Sequence, residues 1–123
     1  ALPNAIGAMQ ALPDRPIVAL VGDGGFMFTV QELITAAELK LPLPIVLWDN
    51  GGLKQIRDDM SSGDFPRVGV DGINPDFSLL AQSMHCHAEE PNSMTDFQRA
   101  IQTALTADRP TVITVSEDSK WLL

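Results

Sequence analysis

At 123 residues, 45% of them hydrophobic, and with a formal net charge of −8, the chain is sized for one domain that can bury a core without staples. The acidic balance argues against a nucleic-acid partner, which needs a basic face, and a single cysteine, Cys86, cannot form an internal disulfide, so nothing demands an oxidising compartment. No apolar run approaches the roughly 20 residues of a membrane span and no signal peptide is visible, so a cytoplasmic protein with no membrane partner is the default expectation.

The chain starts at Ala1, without an initiator Met and inside an apolar helical pattern, as a piece of a longer protein would. Ala5, Ile6, Ala8, Met9 and Leu12 recur at helical spacing and predict a helix from about Pro3 to Ala11. "PIVALVGDG" is a continuous apolar run closed by glycines, the pattern of a strand covered on both faces. From Thr29 the period becomes helical through Val30, Leu33, Ile34 and Ala37, with Thr29 as N-cap and Glu32 completing a capping box. "LPIVLWDN", Leu43 to Asn50, is a second buried strand, and a short helix is expected over Leu53 to Met60.

Ser61 to Pro75 is rich in Gly and Pro and has no periodicity; a connection of this length inside a compact domain is usually functional or disordered. Pro75 to Met84 reads as a helix and "HCHAEE" as a weak strand. Phe97, Ala100, Ile101, Ala104 and Leu105 mark an amphipathic helix, and "PTVITVS", Pro110 to Ser116, is a third strong strand. Strands alternating with helices predict an α/β fold, a three-layer, doubly wound and mostly parallel sheet with helices on both faces. There is no internal repeat and no second domain.

In open parallel sheets, ligands bind where the chain leaves the carboxyl ends of the strands. Two of the predicted strands finish in "GDGG" and "WDNGG". Free N–H groups near Gly24 and Gly25 can face an anion, and an aspartate among them is consistent if a divalent cation lies between carboxylate and phosphate. Asp23 offers a carboxylate and Asn50 an amide oxygen, and the glycines after Asn50 leave backbone carbonyls accessible. The local chemistry suggests a Mg²⁺–diphosphate site.

"GDGGFMFTVQEL", followed by an asparagine 27 positions beyond the aspartate, resembles the GDG…NN signature of thiamine diphosphate-dependent enzymes, in particular the acetohydroxyacid synthase and 2-oxo-acid decarboxylase group. The resemblance extends through "ALPNAIGA" before the motif and "NGGLKQIRDDM" after it. It weakens in the loop and returns in "NPDFSLLAQSM" and the final strand. It implies the thiamine diphosphate-binding fold, residues 1–123 forming the C-terminal diphosphate-binding domain. It also implies Asp23, Asn50 and the Gly52 carbonyl as metal ligands, and Gly22, Gly24 and Gly25 as the turn that holds the diphosphate. Where the family often has two asparagines, this chain has Asp49 and then Asn50, which leaves the metal ligand in place and adds negative charge beside it.

The resemblance further implies a cofactor, thiamine diphosphate with Mg²⁺, that serves as an electron sink for decarboxylating a 2-oxo acid, with or without carboligation. A pyrimidine-binding domain of the same or another subunit would supply the activating glutamate, in a homo-oligomer. No catalytic residue is then expected in this chain, and alone it is expected to be inactive. A diphosphate-binding subunit of a two-chain enzyme and a non-catalytic module on the same fold are the alternatives.

Other features have plainer readings. Asp23 alone would suit a turn aspartate bonded to its own backbone. A G-x-G-x-x-G fingerprint fails because Met27 stands at the last glycine. "HCH" suggests a transition metal, but only two histidines are present and no third ligand clusters with them. Asp58 and Asp59 fit a solvated helix end. Lys54, Gln55, Arg57 and Arg67 are surface groups or, if the loop closes over the site, candidates to meet a substrate.

Overall fold

The computed structural model describes residues 1–122. Helix α1 (Leu2–Ala11) leads to strand β1 (Ala19–Gly22), and a short helix α2 (Asp23–Met27) precedes α3 (Glu32–Glu38). Strand β2 (Pro44–Asp49), helices α4 (Lys54–Ser62) and α5 (Phe77–Ser83) and strand β3 (His87–Glu89) follow. Helix α6 (Met94–Ala104), strand β4 (Thr111–Ser116) and a 3₁₀ turn (Lys120–Leu122) complete the described chain. The strands form one sheet in the order β1-β2-β4-β3, every pair parallel.

All-parallel pairing needs cover on both faces, and the side chains supply it by alternation. Ala19 and Val21 of β1, Ile45 and Leu47 of β2 and Val112 of β4 share one face. They form the main core with Leu2 and Ile6 of α1, Phe26 of α2, Leu33 and Ala36 of α3, and Phe77 and Ala81 of α5. On the opposite face Ile113 packs under Ala100 and Ala104 of α6. The doubly wound arrangement expected from the sequence is thus present. Cover on the second face stops short of β1, where Leu20 is 69% exposed. Among the described residues no helix is long and apolar enough to cross a membrane.

The helix start expected at Thr29 needs correction. Thr29 does not begin a helix: the glycine turn winds directly into α2, the Thr29 N–H bonds to the Phe26 carbonyl at 3.0 Å, and α3 starts three residues later. Its cap position falls on Gln31, whose φ of −58° and ψ of −23° are helical and which makes no side-chain cap; a capping side chain needs extended backbone. Thr29 Oγ1 is instead buried without a hydrogen-bond partner among the described residues. The better cap is Asp76 at α5, whose carboxylate accepts the Leu79 N–H at 2.8 Å.

Candidate functional site

Because β1 and β2 are neighbours in register, with Gly22 opposite Trp48, their carboxyl ends open side by side. Asp23 begins α2 there and is only 2% exposed. A carboxylate this buried must be compensated, and four donors reach it. Its Oδ2 accepts the N–H of Gly52 at 2.6 Å, the N–H of Asn50 at 3.2 Å and the amide Nδ2 of Asn74 at 2.7 Å. Among the described residues its Oδ1 accepts only the Gly24 N–H, at 2.7 Å. Burial pushes the Asp23 carboxyl up, but the hydrogen bonds from Gly52, Asn74 and Gly24 outweigh it and hold its pKa below the ordinary value. The group stays ionised in the interior.

The structure therefore brings Asp23, Asn50 and Gly52 together, and it does so through the backbone after β2. Gly51 and Gly52 take φ of +83° and +96°, a region that L side chains rarely adopt, and the turn they make aims two N–H groups back at Asp23. Gly24 packs closely under the same turn, and a side chain there would make the tip of Leu53 shift. A Cβ there would lie 2.8 Å from Leu53 Cδ2 and 3.5 Å from the Gly52 carbonyl oxygen. Its N–H is engaged by Asp23, which leaves Gly25, exposed in the first turn of α2, as the freer amide of the pair.

The fit to a hard cation rests on one atom above all. The side-chain oxygen Asn50 Oδ1 is buried and accepts no hydrogen bond from any described residue. A bare buried acceptor costs about 1–3 kcal/mol, and an amide oxygen beside an ionised carboxylate is a ligand set that Mg²⁺ takes. Asp49 replaces an asparagine in the resembling signature, and its role is visible here. Its Oδ1 accepts the Gly51 N–H at 3.1 Å and Asn74 Nδ2 at 2.8 Å, so it braces the glycine turn.

No pattern in the sequence marks Asn74 as a site residue. It lies 51 residues from Asp23, at the end of an aperiodic stretch, and an asparagine before a proline reads only as a turn. Of the four polar residues that are candidates to meet a substrate, three already have partners. Lys54 is ion-paired with Glu117 at the end of β4, Gln55 bonds to Asp59, and Arg67 to Ser61. Arg57 lines a cavity of about 450 Å³ with Asn50, Lys54 and Asp118. A larger cavity of about 550 Å³, beside Lys40, His85 and Arg109, touches none of the strand-end residues. The "HCH" side chains are dispersed: His87 bonds to Asp108 at 2.8 Å, while Cys86 turns into the core toward the Leu33 carbonyl.

Similarity to known proteins identifies the family. The family described as "Thiamine pyrophosphate enzyme, C-terminal TPP binding domain" matches residues 1–115. The chain is 44% identical over 113 residues to a probable 2-ketoarginine decarboxylase of Pseudomonas aeruginosa, covering 91% of this chain and 20% of that protein. It is 37% identical over 119 residues to the acetolactate synthase isozyme 2 large subunit of Escherichia coli K12, covering 95% of this chain and 22% of that one. Among solved structures it resembles the thiamine diphosphate-dependent 4-hydroxybenzoylformate decarboxylase of Rhodococcus jostii RHA1. There the TM-score is 0.83 at 34% identity, over 94% of this chain and 22% of the other. The chain spans about a fifth of the length of these relatives.

Proposed function

This chain belongs to the family of C-terminal TPP-binding domains of thiamine pyrophosphate enzymes, and from that premise we propose that it holds the Mg²⁺–diphosphate end of thiamine diphosphate in an enzyme that decarboxylates a 2-oxo acid, with or without carboligation. The observation that carries the reading is the pairing of buried, ionised Asp23 with the unpartnered Oδ1 of Asn50. Asp23, Asn50 and the Gly52 carbonyl would hold the cation, and Gly22, Gly24 and Gly25 would line the diphosphate. When bound, thiamine diphosphate supplies the electron sink on which a 2-oxo acid loses carbon dioxide.

The chain's own residues bind and orient. The buried donor set keeps Asp23 charged where water is scarce, and the positive-φ glycines turn the loop after β2 toward it. The substrate class is the one that relatives named for 2-ketoarginine and benzoylformate have in common, a 2-oxo acid. A pyrimidine-binding domain, from the same or another subunit of a homo-oligomer, would complete the site and supply the activating glutamate, so this chain alone would be inactive. A lone buried thiol suits a cytoplasmic setting.

The test is Asp23→Ala in the enzyme that carries this chain, with thiamine diphosphate binding followed by calorimetry across a Mg²⁺ series. Mg²⁺-dependent binding is expected to vanish. Unchanged cofactor affinity would sink the assignment.

A further inference from the structure

Three donors converge on Asp23 Oδ2 and one on Oδ1. A carboxylate has about two acceptor positions per oxygen, so Oδ2 is saturated and Oδ1 keeps capacity. Of the three groups on Oδ2, two are backbone amides of the turn after β2, and the third is the side chain of Asn74. The same Asn74 nitrogen also reaches Asp49 Oδ1 at 2.8 Å. Because both partners are carboxylates and only accept, the amide must present its nitrogen to them, each of its two hydrogens serving one acid.

This arrangement solves a specific electrostatic problem. Asp23 and Asp49 are like charges at neighbouring strand ends, and their repulsion would splay the turn that carries Asn50 and Gly52. A lysine could bridge them, but its ammonium would compete with a cation for the same carboxylates. A neutral group with two N–H donors joins the acids and leaves their charge available. It also fixes the far end of the 63–76 connection to the site.

We infer that Asn74 is a positioning residue of the cation site, a neutral clamp that ties Asp23 Oδ2 to Asp49 and so leaves Asp23 Oδ1 and Asn50 Oδ1 facing the metal. The inference rests on the reading that Asp23 and Asn50 hold Mg²⁺.

The experiment measures the dissociation constant of Mn²⁺, counted by electron paramagnetic resonance in the presence of thiamine diphosphate, in the enzyme that carries this chain. Asn74→Leu keeps the shape and removes both donors, and Asn74→Ala is the second variant should leucine impair folding. Each is expected to weaken Mn²⁺ at least tenfold, while the KM for the oxo acid at saturating metal stays within threefold. In an Asp49→Asn background, where the repulsion is gone, the loss caused by Asn74→Leu is expected to shrink at least threefold, a coupling that mere space-filling would not produce. Mn²⁺ binding within threefold of the unaltered enzyme, or an equal loss in both backgrounds, would overturn the inference. Asp23→Ala is the control: if it binds Mn²⁺ normally, the metal reading itself fails. If it loses Mn²⁺ while Asn74→Leu does not, only the role of Asn74 falls.

Discussion

The N–H of Gly52 lies 2.6 Å from Oδ2 of Asp23, across 29 residues of chain, in a turn where Gly52 holds a φ of +96°. Gly52→Ala places a Cβ where the backbone resists it, at a cost of about 1–3 kcal/mol, and misdirects the N–H. Urea unfolding is expected to show that loss together with weaker Mg²⁺-dependent cofactor binding. Gly7→Ala is the contrast. It sits inside α1 with nothing within 4 Å of a new Cβ, so it should stabilise by up to about 1 kcal/mol.

Thr29→Val tests the corrected helix start. An N-cap threonine replaced by valine would lose about 0.5–2 kcal/mol. Here the hydroxyl is buried and unpartnered, so removing it should leave stability unchanged or raise it by roughly 1 kcal/mol. Urea unfolding midpoints at constant m-value decide between these.

Cys86 is 5% exposed, and burial pushes its thiol from an ordinary 9.0 up to about 11. At pH 8 the folded protein should react with a disulfide reagent at least an order of magnitude more slowly than the urea-unfolded chain. The raised pKa also fixes the sign of a stability effect. The contribution is constant below pH 9.0 and is lost as the pH climbs toward 11, because the unfolded thiol ionises first. Cys86→Ala should flatten that alkaline decline.

The connection after α4 is expected to exchange its amide hydrogens fastest. Between Gly63 and Pro75 only Val70 is fully buried, so little apolar area opposes opening. Thiamine diphosphate with Mg²⁺ should slow that exchange from the Asn74 end, where the segment is bonded to Asp23. Uniform exchange along the chain, unaffected by cofactor, would contradict a segment that orders over the site.

Arg57→Ala in the enzyme carrying this chain should lower kcat/KM for the oxo acid more than threefold, about 0.7 kcal/mol of transition-state stabilisation. Arg57 lines the cavity beside Asn50. Arg67→Ala should fall within threefold, since the Arg67 side chain is bonded to Ser61. Equal effects of the two changes would argue against a substrate contact through that cavity.

Hydrophobic periodicity was enough to place three strong strands, the flanking helices and the strand-end position of Asp23, because burial imposes its period on the chain locally. The 27-residue spacing of Asp23 and Asn50 could likewise be read, since it measures one strand-helix-strand crossover. The boundary at Thr29 could not: whether the glycine turn extends or winds into α2 depends on Phe26 docking against Phe77, ring centroids 6.0 Å apart. Asn74 was equally hidden, as its meaning comes from two carboxylates far away in sequence. The layers and the site's location follow from patterns that each element carries alone. Which oxygen of Asp23 is saturated, which atom of Asn50 is left bare and which side chain joins the two acids are settled by packing, because those are relations between segments meeting in space.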